Sequence, residues 1–219
     1  MDKYKIIILD NIYETVESPI VKDMLYKLYY TKKVGFQSRQ NKGFLPIGAE
    51  DAIASQIIIA KEYRGELQPV CIAKIIKNST CEKYRIKNSM LNILDGFCSD
   101  EYYEYVANTM DSIHQFGNDT AYSGGFTINR DLLDNKEEVE VLKEIYCAIH
   151  VLIQRDREIH TMFGYANLRL HTDDLFQKWG IKRIMFNGEC PIVEPSVFNY
   201  DRYYCMSVNQ NDYSEYALT

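Results

Sequence analysis

The stretch FTINRDLLDNKEEVEVLKEIYCAIHVLIQRDREIHTMFGYANLRLHTDDLFQKWGIKRIM, Phe126 to Met185, decides the fold class. An extended, β-branched run (FTINRDL) gives way to a long helical period. Leu142, Ile145, Ile149, Leu152 and Ile153 form the apolar stripe of that helix, and Glu137 and Glu138 complement the dipole in its first turn. A second extended run (HTMFGYANLRL) follows. Next comes a short helix with Thr172 as its cap, Asp173 and Asp174 in its first turn and a stop at Gly180. The chain then re-enters an apolar run, IKRIMF. Strand–helix–strand–helix–strand is the order of an α/β domain. In such domains the join of strand and helix, here around Arg130, is where ligand chemistry is usually placed.

Working outward, Tyr4 to Leu9 (YKIIIL) reads as a buried first strand. Ser18 and Pro19 open a helix with Val21, Met24, Leu25 and Leu28 on one face, and this helix is expected to end before Gly35. A loop runs from Gln37 to Gly48. Ala52 to Ala60 and Val70 to Ile76 read as an antiparallel hairpin whose loop is longer than two residues. Two helices are expected near Ser89–Phe97 and Asp100–Phe116, closed by Gly117, Asn118 and Asp119. After Pro195 one further strand and a polar tail are expected. No repeat or low-complexity segment interrupts the chain.

At 219 residues the chain is read as one domain, residues 1–219, able to build a core without a disulfide or metal staple. A net charge of −6 argues against a dedicated nucleic-acid binder, which needs a surplus of Lys and Arg on one face. The six cysteines form no CxxC pair, and several sit in apolar runs, as reduced core cysteines do. The opening MDKYKIIILDN has too short an apolar run for a signal peptide, and no stretch approaches the roughly 20 apolar residues of a membrane span. The chain reads as cytoplasmic. Its eighteen tyrosines suit pockets and interfaces, or simply a half-buried surface.

This order of elements resembles the GNAT (general N-acetyltransferase) superfamily, a mixed sheet flanked by helices. In that frame residues 78–120 are a helical insertion between the third and fourth strands. NLRLHTDDLFQKWGI looks like the family's fifth strand leading into a short helix that ends in an aromatic–Gly pair, here Trp179–Gly180. Ordinary acetyltransferases carry a glycine-rich loop at the strand-to-helix join, where backbone N–H groups approach a pyrophosphate. Here that join is RDLLDNKEEVEVL, acidic and without glycine. A branch without a clear loop is nearer: the acyl-homoserine-lactone synthases and N-acyl amino acid synthases. Tyr30 and Phe36 have its aromatic spacing, Asp51 stands for the last acid of its acidic cluster, and Lys74 falls at the third-strand basic position. Arg130 fits its fourth-strand arginine. Tyr26 stands where that branch has an early arginine, and Thr127 replaces a glutamate.

The resemblance implies transfer of an acyl group from a thioester donor, acyl carrier protein or acyl-CoA, to a small-molecule amine, with no metal. The candidate catalytic residues are Asp51, Arg130 and Thr127. The candidates for holding the donor are Arg130, Gly164 and Tyr165. Each has a second reading. Asp51 can orient an amine or simply begin a strand. Arg130 can grip an oxyanion through its planar fork or pair on the surface with Asp131 or Asp134. Gly164 lets a ligand amide approach the strand, or marks a bulge. Cys147 and His150 have metal-ligand spacing but no second pair, so a core role is the simpler reading. The alternative for the whole chain is a non-catalytic binding or regulatory protein on the same fold, a toxin or defence component included.

Overall fold

The computed structural model describes residues 3–37, 47–195 and 201–214. The elements in chain order are β1 (Lys5–Leu9), α1 (Ile12–Thr15), α2 (Pro19–Gln37), β2 (Ser55–Tyr63), β3 (Glu66–Lys77), α3 (Asn78–Lys83), α4 (Ser89–Leu94) and α5 (Asp100–Gln115). Then come β4 (Asp119–Ile128), α6 (Glu137–Asp156), β5 (Ile159–Asn167), α7 (Thr172–Lys178), β6 (Lys182–Arg183), β7 (Ile192–Val193) and β8 (Tyr203–Asn209). The hydrogen-bonded strand order is β1-β2-β3-β4-β5-β8-β6, with β7 beside β8. β4 and β5 are parallel, and the pairs β1–β2, β2–β3, β5–β8, β6–β8 and β7–β8 are antiparallel. This is the mixed sheet with helices that the sequence predicts. By their contacts the residues form two compact units, Met1–Ile76 with Gly124–Tyr146, and Lys77–Ser123 with Cys147–Thr219.

In the first unit, α2 lays Met24 and Leu28 on Ile58, Ala60 and Ile72 of the hairpin, with Ile7 and Leu9 of β1 beside them. The opposite side of β1 is not buried: Ile6 and Ile8 are exposed, so the first strand is an edge strand rather than a core strand. The hairpin turn is shorter than predicted. Only Arg64 and Gly65 separate β2 from β3, and both have positive φ, 53° and 82°, as a two-residue primed turn requires. α2 also runs past Gly35, through to Gln37. A methyl at Gly35 would overlap Cγ2 of Thr127 on β4, so this glycine serves close packing of helix on strand, not helix termination. The side chain of Phe36 and most of the loop read at 37–48 lie outside the described residues.

In the second unit, β5 pairs with β4 from Ile159 to Phe163 and with β8 from Thr161 to Asn167. β4 itself begins at Asp119, earlier than the β-branched run suggests, with Asp119 to Tyr122 paired to β5. Trp179 is buried, its ring 5.7 Å from that of Phe176, and Gly180 has φ 89°. A Cβ at Gly180 would meet the carbonyl of Asp212, and the Ser214 N–H donates to the Trp179 carbonyl at 3.1 Å. Thr172 is not the cap of α7. Its hydroxyl instead accepts the Asn167 N–H at 2.7 Å, and His171, in the left-handed region, starts the helix. Leu152 of α6 is exposed, and the buried face runs through Val139, Leu142, Tyr146, Ile149 and Ile153. No helix among the described residues is long and apolar enough to cross a membrane, and the six cysteines form no disulfide.

Candidate functional site

A single 3-10 turn, Ala49–Ala52, carries the acid predicted from sequence into the interior of the first unit. Asp51 is completely buried. One carboxylate oxygen receives the ammonium of Lys32, from α2, and the Gln56 side-chain amide at 3.4 Å. The other receives Lys74 of β3 at 2.8 Å and the Gly48 backbone N–H at 2.9 Å. Gln56 and Lys74 are direct cross-strand partners, so the hairpin register sets them side by side. Lys74 also reaches Glu50 at 3.0 Å. Two ammonium groups and two carboxylates thus share one centre, two of them, Lys32 and Asp51, with side chains only 1% exposed.

The electrostatics follow from that burial. Desolvation alone would raise the Asp51 carboxyl, but the Lys74 and Lys32 ammoniums outweigh it and hold the group below its ordinary range. Burial pushes Lys32 the other way, below a normal lysine, against the attraction of Asp51. Asp51 is therefore a fixed negative charge with no open face. It can organise its neighbours but has no room to touch a ligand.

The remaining candidates are placed as follows. Thr127 is buried, its hydroxyl donating to the Gly125 carbonyl at 3.2 Å and its methyl packed on Gly35. Gly125 has φ 68° in mid-strand, a left-handed kink within β4, and lies at van der Waals distance from the Lys74 stem. Arg130 is exposed and, among the described residues, is in no ion pair. Asp134, one of its two suggested partners, is held by Lys3 and Lys61 instead. In the second unit, a methyl on Gly164 would come within 2.8 Å of the Ser123 carbonyl, so the space beside this glycine is filled by β4 backbone. The Tyr165 hydroxyl donates to the Met90 carbonyl at 2.7 Å, with Tyr122 and Tyr203 packed edge-on to its ring. His150 does not pair with Cys147 in a metal site: its Nδ1 lies 2.6 Å from the Tyr213 hydroxyl, and burial pushes its pKa down to about 4. Burial lifts the Cys147 thiol to about 12, which leaves it protonated and inert.

At the start of α6 two backbone donors are occupied by nearby side chains. Asn135 accepts the Glu138 N–H at 3.0 Å, and Glu138 accepts the Asp134 N–H at 3.2 Å. Burial would raise the Glu138 carboxyl, but Lys3, the Asp134 N–H and Lys61 bring it down to about 2. Sequence reasoning read Glu138 as a helix-dipole residue only. It also missed Lys32, although a lysine four residues after Leu28 falls on the apolar face of α2, which was the available signal.

No protein-family model matches this sequence, and no curated protein matches it. Solved structures do match. An N-acyl amino acid synthase from uncultured soil microbes, FeeM, superposes with TM-score 0.55 over 97% of this chain and 95% of its own, at 11% identity. The chain has the GNAT fold. The acyl-homoserine-lactone synthase LasI, of the same GNAT fold, gives TM-score 0.55 at 14% identity over 98% of this chain and 94% of its own. The CoA-dependent acyl-homoserine lactone synthase MesI gives 0.56 at 10% identity, covering 97% and 93%. At these identities the likeness is one of GNAT architecture.

Proposed function

We propose that this protein transfers an acyl group from a thioester donor, acyl carrier protein or acyl-CoA, to the nitrogen of a small amine. The observation that supports it best is the buried Lys32–Asp51–Lys74 centre. Ionised groups in a dry interior are costly to desolvate, and apolar residues of like size would serve stability as well or better. A GNAT-fold protein that keeps such a centre beside a half-exposed acid is best explained by a chemical task. In this reading Arg130 and the strand backbone position the donor. The amine nitrogen attacks the thioester carbonyl, the new C–N bond forms and the C–S bond breaks. The departing thiolate ends with the proton that the nitrogen loses. Holding the two reactants together supplies most of the acceleration, several kcal/mol at the least.

For the donor, the acidic start of α6 favours a carrier protein or a long acyl chain over plain acetyl-CoA. A pyrophosphate would meet the Glu138 and Asp134 carboxylates there, with the Glu138 N–H already bonded to Asn135. Incubating the protein with octanoyl- and palmitoyl-loaded acyl carrier protein, or the matching acyl-CoA, plus tyrosine, agmatine or homoserine lactone tests the reading. Mass spectrometry should reveal an N-acyl amine that forms only with protein present. No product from any pairing would sink the enzymatic reading. The same acidic helix start favours a second reading, a non-catalytic binding or regulatory protein on this fold, and that outcome would support it.

A further inference from the structure

The two adjacent acids of the centre are not equivalent. Asp51 has both oxygens occupied, by Lys32 and Gln56 on one side and by Lys74 and Gly48 on the other. Glu50 has one recorded partner, Lys74, through Oε1, and a side chain 26% exposed. Among the described residues its Oε2 enters no hydrogen bond or ion pair. Lys74 divides its charge between the two acids, whereas Asp51 also receives the Lys32 ammonium directly. Glu50 is thus the least compensated charge of the centre and the one that solvent reaches.

Gly48 adds a second observation. Its backbone is extended, φ −117° and ψ 175°, which any residue adopts. Glycine is not needed there for conformation. A Cβ at that position would instead fall on the Glu50 carboxylate, so the missing side chain leaves the space in which the carboxylate lies. The third observation is an orphan acceptor. Gln56 is fully buried, and its Oε1 has no hydrogen-bond partner among the described residues. The orientation of that amide is fixed, because Nε2 faces two oxygens of Asp51. The centre therefore has spare acceptors at its accessible acid and within its interior, and is short of donors.

We propose that Glu50 holds the nitrogen of the acceptor, and that this acceptor is an aliphatic amine carrying a positive charge in solution. An ammonium supplies the missing donors, with a charge-assisted bond to Glu50 and one further N–H directed, itself or through a water, toward the centre. Asp51 and Lys32 never touch the acceptor. They hold Lys74, and Lys74 holds Glu50. The assignment of this amine as an acyl acceptor rests on the acyl-transfer reading, in which the ammonium first gives one proton to water and the neutral nitrogen then attacks; its binding does not.

The test uses the whole protein, with agmatine and homoserine lactone as probes in calorimetry and as acceptors in the transfer assay. Glu50→Gln keeps the shape and removes the charge. Gly48→Ala places a methyl where the carboxylate lies, and a flexible side chain can move aside at little cost in stability. Both variants should weaken probe binding, or raise the acceptor KM, by about tenfold or more, the usual effect of losing a hydrogen bond to a charged group. The donor KM and the melting temperature should hardly change. Aniline, uncharged at neutral pH, should bind wild type and Glu50→Gln equally poorly. Unchanged probe affinity and acceptor KM in Glu50→Gln would overturn the proposal while leaving acyl transfer standing. Glu50-dependent binding without any product would do the reverse. A wild type that neither binds the probes nor acylates them would overturn both.

Discussion

Lys32 is the residue on which the centre depends most. Replacing it with methionine fills the space but leaves Asp51 buried with less opposing charge. Removing one partner of a buried ion pair typically costs about 3–5 kcal/mol, and urea denaturation of Lys32→Met should show a loss of that size. An unchanged midpoint would mean that Asp51 is solvated in a way its burial does not suggest. Arg130 makes the opposite case. It is exposed and outside any ion pair among the described residues, so Arg130→Ala should leave the melting temperature nearly unchanged. If it positions the donor, the variant should lose donor affinity; a large fall in stability with normal donor binding would make it structural. These two residues also show what a sequence displays and what it hides. Asp51, Lys74 and Arg130 could be picked out because each falls at a position of the pattern the sequence resembles. Glu50 and Gln56 could not, and Lys32 shows only as a lysine on the apolar face of α2, because the importance of all three lies in pairing across α2, the turn at 49–52 and the hairpin. Register and helix rotation create those pairs, and neither is local.

The existence of α2, α5, α6 and α7 was legible from their start or stop signals, although α2 runs past its expected end and Thr172 does not cap α7. The errors cluster where glycine has two possible meanings. Gly35 reads as a helix stop, yet in the fold it is the point where α2 presses on β4. Gly→Ala inside a helix normally stabilises by about 0.5–1 kcal/mol. Here the added methyl would overlap a buried Thr127, so we expect Gly35→Ala to lose about 1–3 kcal/mol, the range for overpacking. Thr127→Ser removes the obstructing methyl. Thermal denaturation of the double variant should therefore recover much of the loss, a coupling that independent sites would not show. The hairpin was legible as a hairpin but not in its turn length, because Arg64 at positive φ is a choice that tertiary register imposes rather than one the residue prefers.

Across the whole molecule, buried titrating groups set the response to acid. The His150 pKa is about 4 in the fold, below the ordinary 6.5, so the unfolded chain binds the proton more tightly. Its contribution is complete above pH about 6.5 and is lost as pH falls toward 4. Glu138, at about 2 against 4.5, has its contribution above about 4.5 and loses it in more acid solution. Stability measured by urea titration should therefore be level near neutrality and begin to fall below pH 6.5, and His150→Asn should abolish that first decline. A decline that persists in the variant would point to another group. Salt gives a separate test of the donor. Net charge is −6, and of the basic residues that an acidic carrier could meet after α6, Lys182 and Arg183 already pair with Asp212 and Asp173. Arg155 remains exposed. Calorimetry should show weak binding of coenzyme A, and any carrier-protein affinity should drop as salt shortens the screening length to about 8–10 Å or less. Tight binding of acetyl-CoA would restore an ordinary acetyltransferase. The tie between His150, Gln154 and Tyr213 has another consequence. The Tyr213 hydroxyl donates to Gln154 at 2.6 Å, so His150 must present its Nδ1 hydrogen to that same oxygen. Residue 213 thus closes a network that residues 150 and 154 can only begin. On the ribosome, these earlier residues emerge and wait while some sixty more are translated. That network is therefore completed only once Tyr213 has been made and has left the ribosome.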